Sequence, residues 1–405
     1  MKVALLTRAA WPLHDPGGME RAVHQLATHL RAQGALTTLF TRPPEHQAEF
    51  PGTVVTVPYT QLPGGAHGRV LDRTLNYPAF SERLGRAVAE QVRDGRIDVV
   101  YAQGLTALGY GRLRRRDAAL RAPLVMNPQG MEEHKTRGVK RLALQRLIRL
   151  SREAASHSDR VVATDEATRA EVERLLRVAP ERVAVLPNGI DLEQVRAATP
   201  GRPREHAHAA LPQLEAAAPL LLSVGRLERY KGFDVTLRAL SLLQERRALP
   251  ERWAWAVVGA GPVRAALQRA AARAGLLGTR IHLLGSVDEP LLHALYERAD
   301  LFVHATRYEG SSLVTLEAMA HGLPVVATRA GGIPDKVVPG ETGFLAEVDD
   351  RASLADAIQQ ALRFPDARRA LGEAGRARAQ QLFAWPQIAS RTLRLFEALL
   401  DEGRR

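Results

Sequence analysis

A chain of 405 residues is too long for one simple hydrophobic core and about right for two domains of ordinary size. Its composition, 45% hydrophobic and 25% charged, excludes a disordered or fibrous protein. The lack of cysteine excludes disulfides, thiolate metal sites and cysteine nucleophiles, which suits a reducing cytosol. The opening MKVALLTRAAW has too few apolar residues before Arg8 for a signal peptide, and no window approaches the roughly 18 apolar residues of a spanning helix. A cytoplasmic protein is expected, soluble or at most peripheral at the inner face of the cell membrane. Net charge is +12 and unevenly spread: residues 112 to 152 carry twelve basic side chains against three acidic ones. Such a patch attracts anionic lipid, nucleic acid or a phosphorylated substrate, or is simply the solvated face of helices.

Strand and helix alternate along the chain. KVALLT (2 to 7), LTTLF (36 to 40), VVTVPY (54 to 59), DVVYA (98 to 102), PLVMN (123 to 127), RVVAT (160 to 164) and VAVLP (183 to 187) are short apolar runs. Helical spacing separates them at 19 to 34, near 80 to 94, near 138 to 156 and near 166 to 177. Strands of this kind, apolar on both faces, belong to a parallel sheet covered by helices. The pattern pauses at 191 to 218, where prolines and mixed charge suggest an interdomain boundary. A second series then begins with LLLSVG, WAVVG, IHLLG, LFVHA, PVVAT and GFLAE, again separated by helices, and the tail from about 353 reads as helix broken near Pro365 and Pro386. The fold class expected is therefore α/β, with two doubly wound domains in tandem.

In open α/β sheets ligands bind outside the carboxyl ends of strands, so the loops there are the places to search. After LFVHA comes EGSSLVTLE (309 to 317), two glutamates bracketing the start of a helix expected from Ser311 or Ser312 to Ala320. The amides of Gly310, Ser311, Ser312 and Leu313 would point out of that helix start and favour an anion. Glu317 lies roughly 7 to 8 Å further along the axis, and Glu309 sits in the loop before it. Taken alone, two glutamates at this spacing are more often surface charges. After LLLSVG, the loop in SVGRLERYKGFD delivers Arg226 and Lys231, charges suited to a diphosphate. GAGP (259 to 262) lacks the third glycine of a dinucleotide turn, and Gly17 and Gly18 open the first helix, where adjacent glycines permit close backbone approach to a ligand.

Together PGGME, PNGID, SVGRLERYKG, VVGAGP, LLGSV and RYEGSSLVTLEAMAHGLPVVATRAGGIPD resemble the family-4 retaining glycosyltransferases (glycosyl transferases group 1), most densely from 219 to 348. The resemblance implies the GT-B fold, two Rossmann-like domains facing a central cleft. Here these would be an acceptor-binding domain at 1–195, a nucleotide-sugar-binding domain at 196–380 and a C-terminal helix at 381–405 returning to the first domain. By similarity Arg226 and Lys231 bind the diphosphate with the amides of Gly310 to Leu313, Glu317 holds the ribose and Glu309 faces the transferred sugar. The backbone near Ser286 and Val287 reads the base, and Gly18 approaches the donor phosphate. Relatives carry histidines where this chain has YAQG and NPQG, so the sugar-facing candidates are Gln129, whose amide can bond a hydroxyl, and His134.

The function implied is retaining transfer of a hexose from a UDP- or GDP-linked sugar to a lipid-linked or polysaccharide acceptor in envelope or exopolysaccharide synthesis. Its co-substrate is the nucleotide sugar. No metal cofactor and no nucleic-acid partner are expected. Peripheral contact with an anionic membrane through the helix near 138 to 152 stands beside the plainer reading of a core-packed helix with a charged outer face. The alternatives are a sugar phosphorylase or nucleotide-sugar epimerase of the same fold, or a noncatalytic nucleotide-sugar-binding subunit.

Overall fold

The computed structural model describes residues 1–15, 17–59, 72–128, 131–136, 138, 141–142 and 144–404. They divide into two compact units, one formed by Met1–Asn188 with Trp385–Arg405 and the other by Gly189–Ala384.

The first unit is built on a seven-stranded sheet in the order β3-β2-β1-β4-β5-β6-β7. Its strands are β1 (Lys2–Leu6), β2 (Leu36–Thr41), β3 (Thr53–Thr56), β4 (Val99–Gln103), β5 (Leu124–Asn127), β6 (Arg160–Ala163) and β7 (Val183–Val185). Every pairing is parallel. Because successive side chains leave a strand on opposite faces, β1 feeds two cores. Ala4 and Leu6 join Phe80, Leu84 and Tyr110 on one face, while Val3 and Leu5 join Leu26, Leu30 and Phe396 on the other.

The second unit carries a six-stranded sheet, β10-β9-β8-β11-β12-β13, made from β8 (Leu220–Val224), β9 (Ala254–Val258), β10 (Ile281–Gly285), β11 (Leu301–His304), β12 (Val325–Thr328) and β13 (Gly343–Ala346). It too is parallel throughout. Leu221 and Val303 pack with Trp253 and Trp255 under one layer of helices, and Leu222 and Phe302 pack with Tyr296 and Leu316 under the other.

Two expectations are corrected. The segment 191 to 218, expected to hold the interdomain boundary, lies inside the second unit. Asp191 accepts bonds from the amides of Glu193 and Gln194 and so caps a helix over Leu192–Ala198, and Pro203–Ala210 forms another, both within the second unit. Helices of two turns are too short to show periodicity in sequence; the units divide at Asn188/Gly189 rather than 195, and the chain returns to the first unit at Trp385 rather than 381. The basic helix expected near 138 to 156 is present over Gln145–His157, with a short turn of helix at Glu132–Lys135 before it; residues 137, 139, 140 and 143 lie outside the described residues.

That helix buries Leu147 and Ile148 and turns Arg146 and Arg149 outward. Part of the basic patch is also consumed internally, since Arg112 pairs with both Glu82 and Glu153 and Arg114 pairs with Asp159. Among the described residues no helix is long and apolar enough to cross a membrane.

Candidate active site

In both sheets the strand order reverses direction once, between β1 and β4 and between β8 and β11. At such a switch point the two following loops run to opposite faces and open a crevice at the carboxyl edge. In the second unit the loop after β8 carries Arg226 and Lys231, and the loop after β11 carries Glu309. Residues 78 apart in sequence therefore meet: Lys231 Nζ donates to Glu309 Oε2 at 2.6 Å, and both side chains are only 13% exposed. His304, the last residue of β11, places its Nε2 2.9 Å from the same carboxylate oxygen. Burial pushes the Glu309 carboxyl up, but the hydrogen bond and charge of His304 and the ammonium of Lys231 outweigh it, leaving the group below the usual carboxylate range. Glu309 is thus held ionised. Arg226 differs from Lys231 in being open to solvent, its guanidinium donating to the Tyr230 hydroxyl at 3.0 Å.

The two loops are stitched together by Arg307. Its amide donates to the Tyr230 carbonyl at 2.6 Å, and its guanidinium forks onto both oxygens of Asp234 at 2.9 and 2.8 Å and reaches Asp349. Thr306 Oγ1 adds a bond to the same Tyr230 carbonyl. From the other side Gly331, in the left-handed region at φ 52, brings its backbone so close that a Cβ there would lie 1.8 Å from the Glu309 carbonyl oxygen. The glycines of GAGP also have a packing cause: a Cβ on Gly259 would lie 1.9 Å from the Gly225 carbonyl oxygen, so this turn lets two strand-end loops touch.

Beyond Glu309 the helix begins at Leu313 and runs to Ala320. Ser312 occupies the cap position expected of it, yet its hydroxyl turns to Thr315 Oγ1 at 2.8 Å and makes no capping bond. The first amides are left without a side-chain cap. Beside them Ser311 Oγ is buried with no hydrogen-bond partner among the described residues. An uncapped helix start with an orphaned hydroxyl is a ready acceptor of anionic oxygen. Glu317, one turn into the helix, has its Oε2 bonded by the Tyr296 hydroxyl at 2.9 Å. A Cβ on Gly310 would meet nothing within 4 Å. Ser286 and Val287 follow β10 at the same edge of the sheet, Ser286 exposed and Val287 half-buried against the core.

In the first unit the helix Gly18–Ala32 opens at Gly18, where a Cβ would meet nothing within 4 Å. A cavity of about 290 Å³ lies at the corresponding carboxyl edge, lined by Arg8 after β1, Gln103 at the end of β4, Pro128 after β5, and Tyr77, Met126, Glu133, Ser151 and Leu176. Arg8 lies over the Tyr77 ring at 5.5 Å. Of the sugar-facing candidates, Gln129 lies outside the described residues. His134 is buried, with Nε2 2.8 Å from Ser151 Oγ, and is pushed down to about 4 by burial and then by Arg152 and Arg141. Its ring is neutral and engaged within its own unit.

His304, Tyr296, Arg307 and Gly331 were not singled out from sequence. The one available signal was the position of His304 at a strand's carboxyl end.

The family described as Glycosyltransferase Family 4 matches residues 16–194, and that described as Glycosyl transferases group 1 matches residues 218–363. A D-inositol 3-phosphate glycosyltransferase of Streptomyces scabiei is 31% identical, with 100% of this chain and 92% of that protein covered. Among solved structures, sucrose-phosphate synthase from Thermosynechococcus elongatus superposes with TM-score 0.74 at 25% identity over 99% of each chain. HepE of Anabaena, solved with UDP and glucose, superposes with TM-score 0.67 at 20% identity over 98% of this chain and 100% of that one. The two parallel α/β units with their carboxyl-edge sites are of the GT-B class. The chain belongs to the family-4 glycosyltransferases, and it is a sugar-transferring enzyme.

Proposed function

We propose that the enzyme moves a hexose, with retention, from a UDP- or GDP-linked sugar to an acceptor that carries phosphate. The observation that carries the donor half is the Lys231–Glu309–His304 cluster at the switch point of the second unit. Lys231, the exposed Arg226 and the amides of Gly310 to Leu313 take the diphosphate, Ser311 Oγ adding a donor. Glu317 accepts the ribose hydroxyls, and the backbone at Ser286 and Val287 meets the base.

As the anomeric C–O bond breaks, the sugar gains positive charge and the diphosphate negative charge. The cations and helix start stabilise the departing diphosphate, while ionised Glu309 stabilises the sugar, a preorganised electrostatic contribution. Attack comes from the face the diphosphate leaves, and a leaving phosphate oxygen takes the acceptor's proton. Lys231 and Arg226 supply the positive charge, so this reading needs no metal. HepE, solved with UDP and glucose, supports the donor class.

For the acceptor, the support is the similarity to the D-inositol 3-phosphate glycosyltransferase of Streptomyces scabiei together with the first unit's arginines. Arg152 and Arg177 follow the cavity-lining Ser151 and Leu176, and burial, then the charges of Arg177 and Arg141, lower the pKa of Arg152, which has no carboxylate partner among the described residues. Phosphate is shared by a soluble inositol phosphate and a lipid-linked polyisoprenyl phosphate. The outward Arg146 and Arg149 are the side chains on which membrane contact would rest.

The test is nucleoside-diphosphate release from UDP- and GDP-glucose with D-inositol 3-phosphate, with polyisoprenyl phosphate in vesicles, or with unphosphorylated glycan. Release stimulated by either phosphorylated acceptor, with the α-configured product, supports the reading and tells the two apart. Stimulation by neutral glycan alone overturns the acceptor half. No release from any donor overturns the whole.

A further inference from the structure

We infer that Tyr296 is a positioning residue for nucleotide recognition, fixing the Glu317 carboxylate so that it meets a ribose diol. This inference rests on the reading that Glu317 receives the ribose.

Tyr296 lies on the helix Glu289–Arg298, behind the helix that carries Glu317, and is 1% exposed. A phenol has one proton to give, and a buried hydroxyl needs a partner. Here the proton goes to Glu317 Oε2 at 2.9 Å, with the Val314 carbonyl a distant 3.5 Å away. Burial and the adjacent Glu317 charge hold the phenol well above its ordinary pKa, so it remains a donor.

The ring is itself locked. It stacks on His321 at 5.3 Å with an interplanar angle of 7°, and His321 has both nitrogens engaged, Nδ1 2.7 Å from Glu297 Oε1 and Nε2 2.8 Å from His293 Nδ1. Glu297 is drawn below its usual range by the His321 hydrogen bond. A half-buried glutamate has three rotatable bonds, and a flexible one loses rotamer freedom whenever a ligand binds. Tethering Oε2 to a ring held by burial and stacking reduces that loss before the nucleotide arrives, which is preorganisation.

The arrangement goes beyond packing because its effect is confined to one part of the ligand. The test measures the affinity of UDP, GDP and ADP, each paired with its 2′,3′-dideoxy analogue, for wild type, Glu317→Gln and Tyr296→Phe by calorimetry. Wild type is expected to prefer a ribonucleotide by about tenfold or more, and Glu317→Gln to abolish that preference. Tyr296→Phe, which keeps the stacked ring, is expected to reduce the preference about fivefold while leaving dideoxy affinity within about twofold. Its melting temperature should fall by less than about 3 °C.

If Glu317→Gln loses the preference and Tyr296→Phe keeps it, the inference is overturned and the ribose reading stands. Equal weakening of both analogues in Tyr296→Phe also overturns it, by reducing the bond to a structural one. If Glu317→Gln retains the preference, or if no ribonucleotide binds wild type, the ribose reading fails and the inference with it.

Discussion

Glu309 is a carboxylate held between a lysine and a histidine, and these two partners keep it ionised against the effect of its burial. Glu309→Gln removes the charge at constant shape and is expected to lower kcat about 10²- to 10³-fold with donor KM nearly unchanged, checked by steady-state kinetics. Because the native carboxyl titrates below its unfolded value, its contribution to stability is fully present above the ordinary glutamate pKa of about 4.3 and is lost as pH falls further.

His134 works in the opposite chemical sense over a different window. Its native value of about 4 lies below the unfolded value of about 6.5, so between these limits the unfolded chain binds the extra proton. Stability therefore falls as pH drops through that window. Melting curves from pH 7 to 4.5 should show His134→Gln with a shallower slope than wild type. The strand, loop and helix around EGSSLVTLE and the basic loop were legible in sequence because polar residues interrupt apolar runs there, whereas the roles given to their charges came from the family resemblance. His304 and Tyr296 were not, because Tyr296 gains meaning only when a separate helix delivers it to Glu317.

At the scale of elements, the site is two loops fastened to each other. Arg307 is the fastener, forking onto Asp234 from one loop end while its amide holds Tyr230. Arg307→Ala is expected to lower kcat about tenfold or more by loosening the Lys231–Glu309 geometry, with the cations proposed to meet the diphosphate still present. Gly331→Ala is a harsher version, since the new methyl group would overlap the Glu309 carbonyl at a backbone conformation that disfavours alanine. A stability loss of about 1–3 kcal/mol in denaturant unfolding and a matching loss of turnover are expected. Strand positions were readable from apolar runs alone, as β8 and β11 illustrate. The helices inside 191 to 218 were hidden because a two-turn helix started by a cap or a proline carries no sustained period. The Gly331 contact was invisible because it joins loops after different strands.

For the molecule as a whole, the last helix belongs with the beginning of the chain. Trp385–Glu402 lays Trp385, Ile388, Phe396 and Leu399 into the core that holds Val23, Leu26 and Leu30, and Arg391 donates to the Val185 carbonyl at 3.0 Å. Each large side chain contributes about 1.5–3 kcal/mol against a domain stability of about 5–15 kcal/mol. Ending the chain at Ala384 should therefore deprive the first unit of cooperative unfolding in a thermal scan and sharply lower soluble yield. The two-sheet plan was evident in sequence from two series of strands separated by a pause, while the register that brings β8 beside β11 was not.

The central claim is that the switch point of the second unit holds a nucleoside diphosphate through Lys231. It is tested by the melting temperatures of wild type and Lys231→Ala with UDP, GDP, ADP and dTDP. At least one nucleotide should raise the wild-type melting temperature by several degrees, corresponding to about 2–3 kcal/mol at a hundredfold excess over Kd, with that rise largely absent in the variant. Wild type unmoved by every nucleotide, or a variant stabilised as fully as wild type, would contradict the account.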